Sequence, residues 1–484
     1  MSVTKIIDEE KLFENVSDRE FVGKALDEAK RFHNNQKRLD GSPFILHPYR
    51  TAMELSSWGM DDTTVVSGLL HDLIEDTSVT KGYIEENFGV KVAEIVEALT
   101  KIKELPSSSK DVENLRQLIM AMSRDVRVII VRLADKLDNL RTVEFLDTER
   151  RKSFSSGILN VYAPLAHRIG MNVLKNELED RAFRELEPTR YRAIQEKLAQ
   201  LHPRSFQTIK KVKEKLEDIF RRQNTGILRI KDRIKSPLSV FRKMEKQNVD
   251  IKDIEDIAAV RIITSDVKDC YAALAVLHET YAPVEGSFTD YISYPKINMY
   301  QSIHTTCITE SGEKVEFQIR TGDMDKTCEF GVAAHFQYKD KDAESKSAKG
   351  LKEWLKNFYE WQTEKLSREE FLENLKTELN YEEIFILTPK SDVKRLIKGA
   401  TAIDFAYVIH SDVGDKFRGC LVNGKMKTMD YVLKSGERVE ILTSKKSHPT
   451  SGWLKIAKSP RTKYKIRHWL KTHSNPLATA KRPS

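Results

Sequence analysis

The 484-residue chain has only four cysteines, Cys270, Cys307, Cys328 and Cys420, far apart and without a Cys-x-x-Cys pair. That spacing argues against a disulfide framework or a zinc knuckle and leaves reduced thiols. Also missing is any uninterrupted apolar run near the roughly 18 residues that span a bilayer. The opening "MSVTKIIDEEKLF" lacks the apolar core of a secretory signal, so no membrane role is expected and the cytoplasm is the default compartment. Charge of one sign is scarce as well. Lys and Arg number 81 against 73 Asp and Glu, a formal +8 that suits an anionic ligand but falls far short of a dedicated nucleic-acid binder.

What is present describes a folded chain, 40% hydrophobic and 32% charged. At roughly 150 residues per domain it is long enough for about three domains. From about Glu20 to Gln223 apolar residues recur every three or four positions, as in "DVRVIIVRLADKLDNLRTVEFL", which predicts an all-helical unit. The Pro and Ser cluster "KELPSSSKD" (Lys103 to Asp111) predicts a loop inside it. After Asn224 short β-branched runs, "AAVRIIT", "SIHTTCIT" and "KVEFQIRT", alternate with helical segments such as "DCYAALAVLHETY", a mixed α and β pattern. "YKDKDAESKSAKG" (Tyr338 to Gly350) reads as a linker or exposed loop. Beyond Tyr381, "EEIFILTP", "DFAYVIH", "GCLVNGKM" and "ERVEILTS" read as strands of a small β-rich domain. The segment Ser451 to His473 holds seven Lys or Arg and no acid, either a solvated helix face or an RNA-facing surface.

The stretch "LLHDLIEDT" (Leu69 to Thr77) sets His71, Asp72, Glu75 and Asp76 among apolar residues. On one continuous helix, His71 and Glu75 would be four apart, as would Asp72 and Asp76, giving two pairs on adjacent faces. Burying several carboxylates without a cation is costly, which favours a metal over a surface helix with an acidic stripe. "PFILHPYRTA" adds His47 in an apolar context, and "RLADKLDNLRT" adds Asp135 where an amphipathic helix should carry something bland. Singly, His47 reads as a satisfied core histidine and Asp135 as a cap or an ion pair. The ordered set of His, His-Asp and a distant Asp resembles the metal-dependent phosphohydrolases of the HD superfamily. Two imidazoles and two carboxylates suit a borderline divalent ion such as Mn2+, with positions open for water and a phosphate oxygen.

"LLHDLIEDT" with "RLADKLDNLRT" further resembles the hydrolase half of the RelA/SpoT homologue family, which makes and breaks the alarmones ppGpp and pppGpp. The resemblance implies His47, His71, Asp72 and Asp135 as metal ligands, and Glu75 and Asp76 as catalytic carboxylates that manage the attacking water. It places Asn139, Arg141 and Thr142 at the nucleotide and Arg38 close to the guanine. The chain departs from the family in "RLDGSPF", where Leu39 replaces a lysine and Ser42 a glutamate, and at Asp138, where His is common.

"TDYISYPKINMYQSIHT" (Thr289 to Thr305) is a loop-like run rich in Tyr, Lys, Asn, Gln and His that leads into a strand-like run. Aromatic faces stack on bases and lysine neutralises phosphate, although an ordinary polar loop has a similar composition. Asp256 precedes one strand-like run and Glu316 lies within another, an arrangement that can hold a cation between two substrates. These stretches resemble the family's synthetase domain, a nucleotidyltransferase-like α+β fold that moves pyrophosphate from ATP to the 3′-hydroxyl of GDP or GTP. The resemblance implies Mg2+ on Asp256 and Glu316, with Glu316 also activating the hydroxyl. Tyr300 would stack on the acceptor guanine, and Lys296, Asn298, Gln301 and His304 would line its pocket. "DRIKSPLSVFRKM" matches the ATP segment through Arg233, Lys235 and Lys243; "CEFGVAAHFQYK" matches the closing helix with Glu329 and His335. Asp232, Ser236 and Met299 replace a glycine, a histidine and a glycine of the pattern, and "SFTD" (Ser287 to Asp290) fits neither of its charged variants.

"IFILTPKSDVKRLIKGATAIDFAYVIHSDVGDKFRGCLVNGKMKTMDYVLKSGERVEILTS" resembles the TGS domain, a small β-grasp module that in long family members helps to sense tRNA on the ribosome. Asp415 stands where a histidine commonly follows "SDVG", and an acid facing a phosphodiester is unfavourable. The ending "HSNPLATAKRPS" reads as a frayed terminus, whereas long members continue further. The expected organisation is multidomain: an all-α HD-type hydrolase domain over 1–186, a synthetase domain over 187–350, a helical connector over 351–377, a TGS domain over 378–445 and a basic helical tail over 446–484. The expected function is bifunctional (p)ppGpp hydrolysis and synthesis. The alternatives are a hydrolase with a weak or inactive synthetase, and a non-catalytic nucleotide sensor acting through TGS.

Overall fold

The computed structural model describes residues 7–101, 110–223, 225–251, 254, 257–337, 354–356, 366–380 and 382–473, in two compact units, Met1–Lys352 and Glu353–Ser484. No helix among the described residues is long and apolar enough to cross a membrane. The linker-like 338–350 lies outside the described residues, as does most of 103–111.

The first unit opens with α1 (Glu9–Phe13), α2 (Arg19–Phe32), α3 (Leu46–Ser57), α4 (Asp62–Leu70), α5 (Leu73–Asp76), α6 (Lys81–Phe88), α7 (Val90–Lys101), α8 (Lys110–Arg124) and α9 (Arg127–Arg141). Side-chain caps start several of them, Asp18 on α2, Asp61 on α4 and Thr80 on α6, each worth about 1 kcal/mol over alanine. Every residue of α4 from Thr64 to Leu70 is buried, so it is a central helix. Gly68 lets α3 lie close against it, because a Cβ there would come 2.5 Å from Leu55 Cδ1 and 3.5 Å from Ala52 Cα. α9 is the second central helix, buried at every position from Val128 to Asp138 even though four of those residues are charged.

The continuous helix expected over "LLHDLIEDT" is corrected by the structure. α4 ends at Leu70, α5 begins at Leu73, and Asp72 between them sits at φ −94° and ψ −6°. The residues themselves tolerate a helix, so the break is imposed by tertiary fit: it turns Asp72 toward α3 while His71 Nδ1 bonds the Gly68 carbonyl at 2.8 Å.

After α10 (Thr148–Gly157), a π-helical turn (Ile158–Tyr162), α11 (Ala163–Arg168), α12 (Asn172–Leu186) and the long α13 (Pro188–Arg222), the chain becomes mixed α and β. Strands β1 (Ile227–Ile234), β2 (Ala258–Thr264), β3 (Ala282–Pro283), β4 (Thr289–Asp290), β5 (Ile303–Ile308) and β6 (Lys314–Thr321) form a sheet ordered β1-β2-β6-β5-β3, with β4 also on β5. The β2–β6 pairing is parallel and the others are antiparallel. Val260, Ile262, Ile303, Phe317 and Ile319 bury one core with Leu216 and Phe220 of α13 and Ala273 and Leu277 of α15 (Val267–Thr280). α14 (Pro237–Gln247) follows β1, while α16 (Gly322–Phe330) and α17 (Val332–Gln337) follow β6.

The second unit pairs β7 (Glu383–Leu387) with β8 (Val393–Ile397), and sets β9 (Phe417–Val422) between β10 (Lys425–Lys427) and β11 (Val439–Thr443). The strand expected at "DFAYVIH" is instead the helix Ala402–Ile409. Thr401 and Asp404 form a capping box there, and Asp404 also accepts from the Lys458 and Ser459 amides, so end chemistry overrides the apolar, β-like composition. Ile466 on the basic helix Pro460–His473 is buried in the same core as Phe405, Phe417 and Trp453.

Candidate functional site

α3, the α4–α5 break and α9 bring four of the expected metal residues together. His47 Nε2 lies 3.5 Å from Asp72 Oδ2 and 3.4 Å from Asp135 Oδ1, and His71 Nε2 lies 3.2 Å from Asp72 Oδ1. Ligand atoms of His47, His71 and Asp72 all fall within 4.8 Å of one another. Each imidazole is oriented from behind. His47 Nδ1 pairs with Asp138 Oδ2 at 2.7 Å and His71 Nδ1 with the Gly68 carbonyl, so both Nε2 atoms are the ones left to face inward.

The electrostatics call for a cation. Burial opposes a proton on His47, yet the hydrogen bonds it donates to Asp135 and Asp138 and the charge of Asp72 outweigh it and push the pKa up to about 9. Burial likewise opposes charge on Asp135, but Lys136, Arg132 and His47 override it and hold the carboxyl well below its usual range. His71 Nε2 is buried and makes no hydrogen bond. An orphaned imidazole nitrogen among carboxylates fits a divalent ion, which would satisfy it and take the place of the His47 proton. The donor set therefore fits the metal that an HD domain implies.

The cluster opens into a cavity of about 880 Å³. Of the expected residues, Arg38, His47, Asp72, Glu75, Asp76, Asp135, Asn139 and Thr142 are on its wall. Partial desolvation there, with the charge of Asp72, raises the Asp76 pKa. Arg38 donates to Asp138 at 2.8 Å, Asn139 Oδ1 at 2.8 Å and Thr142 Oγ1 at 3.1 Å. Arg141 is not on the wall: it reaches Glu54 at 2.5 Å and Glu177 at 3.0 Å. Three residues given no role from the sequence stand beside the cluster. Arg132 Nη1 and Lys136 Nζ lie 3.1 and 3.6 Å from Asp135 Oδ2, and Asp138 is wholly buried behind His47. Their signal was in the sequence, as charges at buried positions of "VRLADKLDNLRT".

In the sheet domain, Glu316 on β6 and His304 on β5 are adjacent, with His304 Nδ1 2.9 Å from Glu316 Oε1 and Tyr300 OH 2.7 Å from His304 Nε2. Burial opposes ionisation of Glu316, whereas His304 and Lys235 favour it and leave its pKa lowered. Lys296 Nζ sits 5.3 Å from the Tyr300 ring and Arg320 Cζ 5.7 Å. Arg233 Nη1 reaches Gln318 Oε1 at 3.4 Å, and Gln301 bonds the Ile292 carbonyl at 3.4 Å. Lys235 follows β1, its amide bonded to the Ile257 carbonyl at 3.0 Å, and Lys243 is on α14. Asn298 turns toward the carbonyl of His167 at 3.3 Å, and Glu329 pairs with Arg261 at 2.8 Å. Asp256 lies outside the described residues, as does the side chain of His335 on α17.

Three family models match the chain: the HD domain over residues 25–172, the region found in RelA/SpoT proteins over 232–343, and the TGS domain over 384–443. Among curated relatives, a guanosine-3′,5′-bis(diphosphate) 3′-pyrophosphohydrolase of Aquifex aeolicus is 41% identical over 93% of this chain and 65% of its own length. A GTP pyrophosphokinase of Myxococcus xanthus is 40% identical over 94% of this chain and 61% of its own. The chain thus spans less than two thirds of the length of these relatives. A solved structure of small alarmone synthetase 1 from Bacillus subtilis bound to pppGpp aligns over 35% of this chain and 95% of that one, at 21% identity and a TM-score of 0.26.

Proposed function

We propose that the chain, which matches HD, RelA/SpoT and TGS models in that order, is a RelA/SpoT-family bifunctional alarmone enzyme of the cytoplasm. The HD domain hydrolyses (p)ppGpp to GDP or GTP plus pyrophosphate. The RelA/SpoT domain transfers pyrophosphate from ATP to the 3′-hydroxyl of GDP or GTP, releasing AMP.

The observation that carries the hydrolase reading is the orphaned His71 Nε2 facing Asp72 beside His47 and Asp135. These four residues would hold Mn2+, which when bound lowers the pKa of water and polarises a phosphate oxygen. Glu75 and Asp76, on the cavity wall, orient the attacking water and take its proton. Arg38, Asn139 and Thr142 hold the nucleoside, while Arg132 and Lys136 bring positive charge to the diphosphate side of Asp135. Arg141, paired with Glu54 and Glu177, supports the end of α9.

For synthesis, Glu316 is the base for the 3′-hydroxyl and with Asp256 would hold Mg2+. Tyr300 is the stacking face for the acceptor guanine, and Lys296 the neighbouring phosphate counter-charge. Arg233, Lys235 and Lys243 bind ATP.

The test is release of pyrophosphate from ppGpp with Mn2+, by wild type and by His71→Ala. Turnover that the substitution leaves intact sinks the metal assignment. Incubating Asp72→Asn, which removes breakdown, with ATP and GDP then reads synthesis; absence of ppGpp would leave a hydrolase with an inactive synthetase.

A further inference from the structure

The proposed hydrolase leaves Asp138 without a role, although this carboxylate is wholly buried and receives donors from three separate side chains. Its Oδ2 takes His47 Nδ1 at 2.7 Å, Arg38 Nη1 at 2.8 Å and Arg50 Nη2 at 3.1 Å, while its Oδ1 takes Arg50 Nε at 2.5 Å. Arg50 alone, bound through both oxygens, would neutralise it. The two further donors belong to the site: His47 to the metal cluster, and Arg38 to the nucleotide side of the cavity. We propose that Asp138 is the positioning residue of the hydrolase centre, one carboxylate that fixes His47 toward the metal and Arg38 toward the nucleotide. This inference rests on the hydrolase reading and adds to it.

The geometry explains how one group serves both. With Nδ1 engaged, the His47 ring presents Nε2 to Asp72 and Asp135 at 3.5 and 3.4 Å. An acceptor behind a ligating imidazole fixes its tautomer and makes it a stronger donor to the ion. Arg38 is held as a fork, one Nη on Asp138 and the other on Asn139 and Thr142, so it follows the last turn of α9. A shift of that turn therefore moves the metal ligand and the nucleotide contact together. An amide at position 138 would keep the shape but would lose the charge and one acceptor.

The experiment titrates Mn2+ into the metal-stripped full chain, reading free Mn2+ by its EPR signal, for wild type, Asp138→Asn and Arg50→Gln. Asp138→Asn is expected to keep a cooperative melt and bind Mn2+ about 10- to 100-fold more weakly. Its KM for ppGpp at saturating Mn2+ should also rise, while the rate of ppGpp synthesis stays unchanged. Arg50→Gln, which leaves Asp138 to His47 and Arg38, should bind Mn2+ at least as tightly as wild type, and this variant decides the matter if Asp138→Asn does not fold. Wild-type affinity within twofold in Asp138→Asn, or weakened affinity in Arg50→Gln, overturns the role of Asp138 alone. No Mn2+ binding by wild type overturns the metal reading and this inference with it.

Discussion

Tyr300 OH and His304 Nε2 are 2.7 Å apart, and the far nitrogen of the same imidazole faces Glu316. Burial lowers the His304 pKa, so the ring is neutral: Nε2 accepts from the tyrosine and Nδ1–H donates to the carboxylate. The proposed stacking face and the proposed base are thus joined by one imidazole. Tyr300→Phe keeps the aromatic face and removes one hydrogen bond of about 1 kcal/mol. Synthesis from ATP and GDP should lose roughly two- to tenfold in kcat with little change in acceptor KM. Tyr300→Ala also removes the stacking surface, worth about 1–3 kcal/mol per base, and should raise acceptor KM. Steady-state kinetics on both variants separate the two effects, and a Phe variant as active as wild type would end the argument for the His304 link.

Glu75 and Asp76 stand on the cavity wall and outside the His47, His71 and Asp72 cluster. Glu75→Gln and Asp76→Asn should therefore bind Mn2+ nearly as wild type does, while hydrolysis falls about 10²- to 10⁴-fold, the range of a positioned general base. His71→Ala should instead lose both metal and hydrolysis. Parallel Mn2+ titration and ppGpp turnover distinguish the two patterns; a Glu75 variant that loses its metal would move that residue into the ligand set.

Gly331, between α16 and α17, sits at φ +56° with room for no side chain. A Cβ there would meet the Ile169 carbonyl oxygen at 2.1 Å and the Gly170 carbonyl carbon at 2.5 Å. The Val332 amide bonds that same Ile169 carbonyl at 3.0 Å, so the loop before α12 and the turn after α16 meet backbone to backbone. Gly331→Ala combines an unfavourable φ with overpacking and should cost about 2–4 kcal/mol. Thermal unfolding of the full chain should show an early transition for the first unit and an unmoved one for the second.

The sequence made the residue types of the hydrolase site legible because charge inside apolar helices is expensive and stands out, as at His47, His71, Asp72 and Asp135. Helical periodicity and β-branched runs likewise marked the change from helices to mixed structure. Orientation was not legible. Nothing local tells that Arg141 turns to Glu54 and Glu177 while Thr142, one residue on, faces the cavity. The break at His71–Asp72 and the turn of Asn298 toward His167 depend on neighbours far away in the chain. "DFAYVIH" misled through composition, its helix being set by Thr401 and Asp404 at the end rather than by the apolar residues within. The Asp138 departure was visible as a letter, but its three donors, all about 90 to 100 residues away, were not.

Asp415 gives a pH test in the second unit. It accepts the Tyr407 hydroxyl at 2.8 Å, but burial and, to a smaller degree, the Asp412 charge raise its pKa above that of an ordinary aspartate. A carboxyl with a raised folded-state pKa binds its proton more tightly when folded. Above that pKa the ionised group therefore weakens the fold, and stability returns as pH falls through it. Asp415→Asn keeps an acceptor for Tyr407 and has no charge to desolvate. At pH 8 the variant should be the more stable, by an amount that solvent screening keeps small for this partly exposed group. The advantage should shrink as pH is lowered toward 4, because wild type then takes up its proton. Melting curves of both proteins across that range check the sign: a gap that widens on acidification would mean that the Tyr407 bond, not desolvation, governs Asp415.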